Sequence, residues 1–211
     1  MDVRCFTVGP IAENCYVLRR DRADRALIVD PGDEPDRILG AVDELGIGVA
    51  AILLTHTHFD HIGAVAPVAK ATGARVYCPE LEVPVLADVM AFTPPPFGPY
   101  ESYHADETVA GGERLELAGL EIDVLFTPGH SPGHVAYSVP DELALFSGDV
   151  LFQGSVGRVD LPGGDGPTLM ESLRGLVEGF PEETTVYPGH MGITTLGAER
   201  ATNPFLTALA R

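Results

Sequence analysis

Basic residues are scarce in this chain: Lys and Arg number 13 against 31 Asp and Glu, a formal net charge of −18. That balance argues against nucleic acid as a partner, because a basic patch supplies most of the affinity for a phosphate backbone. The acidity reads instead as a solvated surface that keeps the protein soluble. Cysteine is equally sparse. Cys5, Cys15 and Cys78 are few and odd in number, which argues against a disulfide framework. They read as three small buried residues in a reduced, cytoplasmic protein rather than as catalytic thiols. No run of about 18 apolar residues is present to cross a bilayer, so no membrane partner is expected. The start, Met1-Asp2-Val3-Arg4-Cys5-Phe6, lacks the basic and apolar regions of a secretion signal. No long Gly/Ser linker, low-complexity tract or fixed-period repeat divides the 211 residues. That length buries a substantial core as a single domain, 1–211.

What is abundant is concentrated. Thr55-His56-Thr57-His58-Phe59-Asp60-His61 places four potential metal ligands within six residues, directly after the apolar run Ala50-Ala51-Ile52-Leu53-Leu54. The run reads as a buried strand, and a loop at the end of such a strand is where an α/β protein exposes reactive side chains. Imidazoles and a carboxylate packed this densely suit Zn, Fe or Mn. The signal repeats along the chain. His130 and His134 lie in Thr127-Pro128-Gly129-His130-Ser131-Pro132-Gly133-His134, Asp149 in Phe146-Ser147-Gly148-Asp149, and His190 in Val186-Tyr187-Pro188-Gly189-His190. Each segment follows a short β-like stretch, and a Gly beside the donor permits a tight turn and close backbone approach. Several strands therefore end in a donor aimed at one place. His104 stands apart from this pattern and reads as a surface residue.

The series His-x-His-x-Asp-His, Gly-His, Gly-Asp, Gly-His resembles the metallo-β-lactamase fold superfamily, and within it the short, single-domain glyoxalase II-like hydrolases. Glu13-Asn14-Cys15-Tyr16, Gly157-Arg158-Val159-Asp160-Leu161-Pro162-Gly163-Gly164-Asp165 and Glu199-Arg200-Ala201-Thr202-Asn203-Pro204-Phe205-Leu206 extend the likeness over essentially the whole chain. The resemblance implies a four-layer αβ/βα sandwich of the α/β class. It implies two divalent metal ions, Zn first and Fe or Mn as alternatives. It assigns His56, His58 and His130 to one metal, Asp60, His61 and His190 to the other, and Asp149 to both. Spacing accords with that division. His56 and His58, two apart on an extended segment, share a face, whereas Asp60 and His61 follow where the chain turns into a helix. Asp30 and His134 are implied to support the ligands rather than join them.

The activity implied is hydrolysis of thioesters of the hydroxyacylglutathione type, with a metal-bridging hydroxide as nucleophile and Asp60 also accepting a proton. The β-lactamase branches carry Cys where this chain has Asp149. Arg158 matches a basic residue near the thiol-conjugate carboxylate; the blander reading is an ion pair with Asp160 or Asp165. Larger glyoxalase II enzymes add a C-terminal helical domain with further basic contacts to glutathione. No such domain is expected of this chain, whose late basic residues are Arg200 and Arg211. The small-molecule acyl-thiol partner therefore stands beside two alternatives, another ester or lactone, and a persulfide for a mononuclear-iron dioxygenase. A non-enzymatic, vestigial module would lack a ligand, and none is missing.

Periodicity predicts strands over 3–8, 14–19, 25–29, 50–54 and 75–78, with helices over 35–45, 62–72, 168–177 and 204–210. It places 108–126 and 134–147 in a second sheet and adds a strand at 184–187. Phe92-Thr93-Pro94-Pro95-Pro96-Phe97-Gly98-Pro99-Tyr100 cannot extend a helix. It reads either as a stiff loop shaping the substrate pocket or as a plain surface connection.

Overall fold

The computed structural model of the protein describes residues 1–209. It opens with the antiparallel hairpin β1 (Asp2–Val8) and β2 (Glu13–Arg19), followed by β3 (Arg25–Val29). Along β2 and β3, alternate side chains enter different cores. Cys15, Val17, Ala26 and Ile28 face one, and Tyr16, Leu18, Leu27 and Val29 face the other. A period of two with both faces buried is why these strands read as continuous apolar runs. Helix α1 (Pro35–Leu45) starts on Pro and ends at Gly46 with φ 62°, burying Ile38, Ala41 and Val42. β4 (Gly48–Leu53) then pairs in parallel with β3, and β5 (Arg75–Pro79) in parallel with β4.

Between β4 and β5 the helix predicted over 62–72 is divided into α2 (Phe59–Ile62) and α3 (Val65–Thr72). The division has a packing cause. The Ala64 N–H donates to Pro31 O at 3.0 Å, and a Cβ on Gly63 would lie 2.6 Å from the Tyr100 ring. The chain docks on neighbouring backbone here instead of continuing one helix. A 3₁₀ turn at Glu80–Glu82 and helices α4 (Val83–Ala87) and α5 (Val89–Phe92) precede β6 (Glu107–Val109). β6 corrects the sequence reading. It pairs in parallel with β5 and closes the first sheet, in the order β1-β2-β3-β4-β5-β6, rather than opening the second.

The second sheet contains β7 (Arg114–Leu117), β8 (Leu120–Phe126), β9 (Val135–Val139), β10 (Ala144–Gly148), β13 (Thr185–Pro188) and β14 (Thr194–Thr195), in the order β14-β13-β10-β9-β8-β7. A small ribbon, β11 (Leu151–Phe152) and β12 (Ser155–Val156), and helix α6 (Gly166–Gly179) intervene before β13. Helices α7 (Leu196–Thr202) and α8 (Pro204–Leu209) follow β14. The last residue of the predicted 204–210 helix, and Arg211, lie outside the described residues.

Three cores separate four layers. One joins α1 and α3 to the first sheet, through Ile38, Val42, Val65 and Val68. The second lies between the sheets, where Tyr16, Leu27 and Leu53 meet Val124, Tyr137 and Phe146. The third packs Leu169, Leu173 and Leu176 of α6 on Ala136, Leu145 and Val186. This is the α/β/β/α sandwich expected of amphipathic helices covering both outer faces of two stacked sheets. Cys15 and Cys78 are buried as expected, but Cys5, on the edge strand β1, is exposed. No helix among the described residues is long and apolar enough to cross a membrane.

Candidate metal centre

The strand ends β3, β4, β8, β10 and β13 open onto one edge of the sandwich, and each is followed by a donor named from the sequence. In the segment after β4, His56 Nε2 lies 3.0 Å from His58 Nδ1, and His130 Nε2, from the loop after β8, lies 2.8 Å from the same His58 nitrogen. A second group adjoins it. Asp60 Oδ2 is 3.3 Å from His190 Nε2 and 3.8 Å from His61 Nε2. Asp149, one residue past β10, stands between them. Its Oδ1 is 3.3 Å from His61 Nε2, and its Oδ2 is 3.5 Å from His130 Nε2 and 3.6 Å from His190 Nε2. All seven predicted metal-site residues are thus brought together in two clusters, His56/His58/His130 and Asp60/His61/His190, that share Asp149.

The reverse sides of the rings are anchored. His61 Nδ1 donates to Asp30 Oδ2 at 3.0 Å, His130 Nδ1 to Arg158 O at 2.8 Å, and His190 Nδ1 to Ala12 O at 3.3 Å. Each bond fixes the tautomer that leaves Nε2 as a lone-pair donor toward the centre. Asp30 is itself held by the Thr55 N–H at 2.7 Å and the Thr55 hydroxyl at 2.6 Å. It therefore acts behind His61, as the resemblance implied, although it also lies within reach of His56 and His61 as a donor. His134 takes no part in either cluster. Its Nε2 accepts from the Asp149 N–H at 3.0 Å and its Nδ1 meets Thr127 Oγ1 at 2.9 Å. Gly148 is required beside it, since φ is +48° and a Cβ would lie 2.6 Å from both His134 Nε2 and Thr55 Oγ1.

The donor set fits divalent cations. Among the described residues, His61 Nε2 and Asp149 Oδ1 are buried polar atoms without a hydrogen-bond partner, and both face the centre. Unpaired buried donors and acceptors are costly unless something else satisfies them, and nitrogen and oxygen ligands of this kind suit Zn, Fe or Mn. Charge is distributed accordingly. Burial pushes His56 and His134 well below the ordinary imidazole value, and burial followed by the neighbouring His130 holds His58 to about 4. Burial acts in the same sense on His61 and His190. It is overcome by the Asp149 and Asp60 charges at His61 and by the Asp60 hydrogen bond at His190, so both are raised. Burial would raise the two carboxyls in turn, but His61 above all holds Asp149 and Asp60 below the usual range.

Four further residues support the centre in roles that the sequence did not show. Glu82, buried, accepts from the Thr57 hydroxyl at 2.6 Å, the Ser131 hydroxyl at 2.7 Å and the Gly133 N–H at 2.8 Å. Asn14 and Tyr16 hold the loop that carries His190 through Pro188 O and Met191 O. Glu13 is fully enclosed, with one oxygen 3.8 Å from His61 Nδ1, and burial drives its acid well above the ordinary value. Glu13-Asn14-Cys15-Tyr16 was a visible motif, but no single-chain signal distinguished Glu82 from other acidic residues.

The clusters form the floor of a cavity of about 1110 Å³. Phe92, Pro94 and Phe97 of the Pro-rich segment line it, and Phe97 stacks on Phe59 with ring centroids 4.7 Å apart. The pocket-shaping reading of that segment therefore describes its placement. Arg158 lines the same cavity but is exposed and paired with Asp160, at 2.6 Å and 2.7 Å. His104 is exposed, as expected.

A family profile described as the metallo-beta-lactamase superfamily matches residues 8–190. The chain is 41% identical over 212 residues to a probable metallo-hydrolase, YqgX, of Bacillus subtilis, covering 100% of both. It is 32% identical over 211 residues to the hydroxyacylglutathione hydrolase GloC of Haemophilus influenzae, covering 99% of both. Among solved structures, the BLEG-1 B3 metallo-beta-lactamase superposes with a TM-score of 0.92 at 39% identity, over 98% of this chain and 100% of the other. The di-iron-bound form of TTHA1623 superposes with a TM-score of 0.78 at 43% identity, over 96% and 100%. The chain accordingly belongs to the metallo-beta-lactamase superfamily, as a metallo-hydrolase whose histidine and aspartate groups are placed for divalent metal ions.

Proposed function

We propose that this chain hydrolyses acyl thioesters of the hydroxyacylglutathione type. The observation that carries the reading is Asp149, a carboxylate facing both donor clusters at the floor of a substrate-sized cavity. The full-length likeness to GloC supports it. His56, His58 and His130 would hold one cation, Asp60, His61 and His190 the second, and Asp149 would contact both. A pair of divalent cations bound there lowers the pKa of water, polarises a carbonyl and needs no serine or cysteine nucleophile. Zinc heads the expected metals; the di-iron neighbour keeps iron beside it.

The chain's own residues supply position and proton transfer. Water adds to the thioester carbonyl carbon, a C–O bond forms, the C–S bond breaks, and the thiol leaves with a proton as the carboxylic acid is released. Asp60, on the cavity side of the second cluster, accepts the proton given up by the attacking water. Asp30, Arg158 O and Ala12 O keep three imidazoles aimed, so little reorganisation is needed during turnover. Arg158 exchanges its exposed partner Asp160 for a substrate carboxylate; exposed pairs are worth about 0–1 kcal/mol, so the exchange is cheap. The three cysteines, free in this fold, suit a reducing cytoplasm.

The test is hydrolysis of S-lactoylglutathione by metal-loaded protein, followed as loss of the thioester, with His58→Ala as control. Turnover that disappears in the control supports the reading. Absence of turnover in fully loaded protein sinks the glutathione assignment and directs attention to lactones and to oxygen uptake with persulfides.

A further inference from the structure

Nine large hydrophobic side chains are exposed among the described residues, and four of them, Ile11, Leu81, Phe92 and Met191, rim the cavity over the metal centre. Scattered exposed apolar residues need no explanation, but a contiguous set around a cleft marks a ligand groove. The apolar surface continues inward to the donors on both sides. Phe59, which stacks on Phe97, and Met191 line the cavity together with His58, Asp60 and His190.

Charged matches are few on the same walls. Among the described residues that line the cavity, Arg158 is the one Lys or Arg, so on exchanging Asp160 it can match one substrate carboxylate and no more. A tripeptide thiol such as glutathione brings two carboxylates and an ammonium into this space, and charge removed from water without a partner is strongly disfavoured. An acyl chain is the part of a thioester that carries apolar bulk without a charged end.

We infer that the cavity selects among thioesters chiefly by an apolar, uncharged acyl chain of medium length, laid against Leu81, Phe92 and Phe97, with the charged thiol carrier matched at Arg158 alone. This rests on the thioesterase reading above and specifies which thioesters that site takes.

The experiment uses metal-loaded protein and the acetyl, butanoyl, hexanoyl and octanoyl thioesters of N-acetylcysteamine, a small neutral thiol, with S-lactoylglutathione for comparison. kcat/KM is expected to rise about two- to fourfold per methylene, as burial of a methylene in an apolar site supplies. Octanoyl is expected to exceed S-lactoylglutathione. Leu81→Asp, at a position 62% exposed and so without a core to disrupt, is expected to cut the octanoyl-to-acetyl ratio at least tenfold. Binding is read separately by calorimetry with the non-hydrolysable S-octyl and S-methyl thioethers of the same thiol. The octyl compound is expected to bind tighter, with a negative heat-capacity change, and Leu81→Asp is expected to abolish the difference. A flat chain-length series with equal thioether binding overturns the inference and leaves the thioesterase reading intact. If no thioester turns over while the octyl thioether binds and responds to Leu81→Asp, the reverse holds. Turnover of S-lactoylglutathione above every acyl arm also overturns the inference.

Discussion

Glu82 and Thr57 are joined by a 2.6 Å hydrogen bond in which the hydroxyl between His56 and His58 donates to a buried carboxylate. The other oxygen of Glu82 accepts from Ser131 and Gly133, in the loop that carries His130. One side chain thus ties together the two segments that supply the first cluster. Glu82→Gln keeps the volume but turns one acceptor into a donor facing donors. It is expected to destabilise the fold by about 1–3 kcal/mol for each group left unsatisfied and to weaken one of the two metal-binding steps, that of the His56/His58/His130 cluster. Urea unfolding and metal titration check both. A change within about 0.5 kcal/mol, the range of ordinary surface substitutions, with unaltered metal binding would remove Glu82 from this role.

The second cluster has its own brace. Asn14 Nδ2 donates to Pro188 O at 3.1 Å and to Met191 O at 2.9 Å, and the Tyr16 hydroxyl donates to Pro188 O at 2.7 Å. These bonds bracket His190 and hold Met191 at φ 68°, a region that non-glycine residues seldom occupy. Asn14→Asp retains the shape and loses both donations. Outer partners of this kind are worth about 10–100-fold in metal affinity. The expected outcome is therefore a loss of that size in one of the two binding steps with the other unmoved. Equal weakening of both steps would show a general loss of folding instead.

These braces show where sequence reading stopped. The donors were legible because each follows a buried strand and sits beside a glycine or in a dense His/Asp run, so local pattern and chemistry coincide at His56 to His61, His130, Asp149 and His190. Strands 14–19 and 25–29 were legible because both faces are buried and the apolar run is unbroken. β6 was not, because Glu107-Thr108-Val109 is too short to show a period and its pairing with β5 is decided by packing. The break at Gly63 depends on Pro31 and Tyr100, distant in sequence. α7 was also absent from the sequence reading; its start is fixed by the Thr195 hydroxyl accepting from the Ala198 N–H at 3.2 Å, a cap with little apolar periodicity behind it. Glu82 belongs to the same class, since an isolated acid in Glu80-Leu81-Glu82 acquires its role only when three loops converge on it.

Removal of metal tests the centre as a whole. His61 Nε2 and Asp149 Oδ1 are buried without partners among the described residues, and the fold holds them in place through Asp30, His134 and Gly148. The folded chain thus presents assembled ligands that the unfolded chain does not, and cations bind the native state preferentially. At about a thousand times its Kd, one such cation stabilises the fold by about 4 kcal/mol. For a chain of this size, each kcal/mol moves Tm by about 2–4 °C. Chelation is therefore expected to lower Tm by about 8–16 °C per cation of that affinity, and re-addition of zinc to restore it. His58→Ala, which leaves the second cluster whole, is expected to retain only part of the shift, whereas Asp149→Ala, which touches both clusters, is expected to lose most of it. Calorimetry of the three proteins with and without chelator decides the matter. If Tm is the same with and without chelator in the unmodified protein, the two clusters do not hold metal, and the hydrolytic reading built on them falls with them.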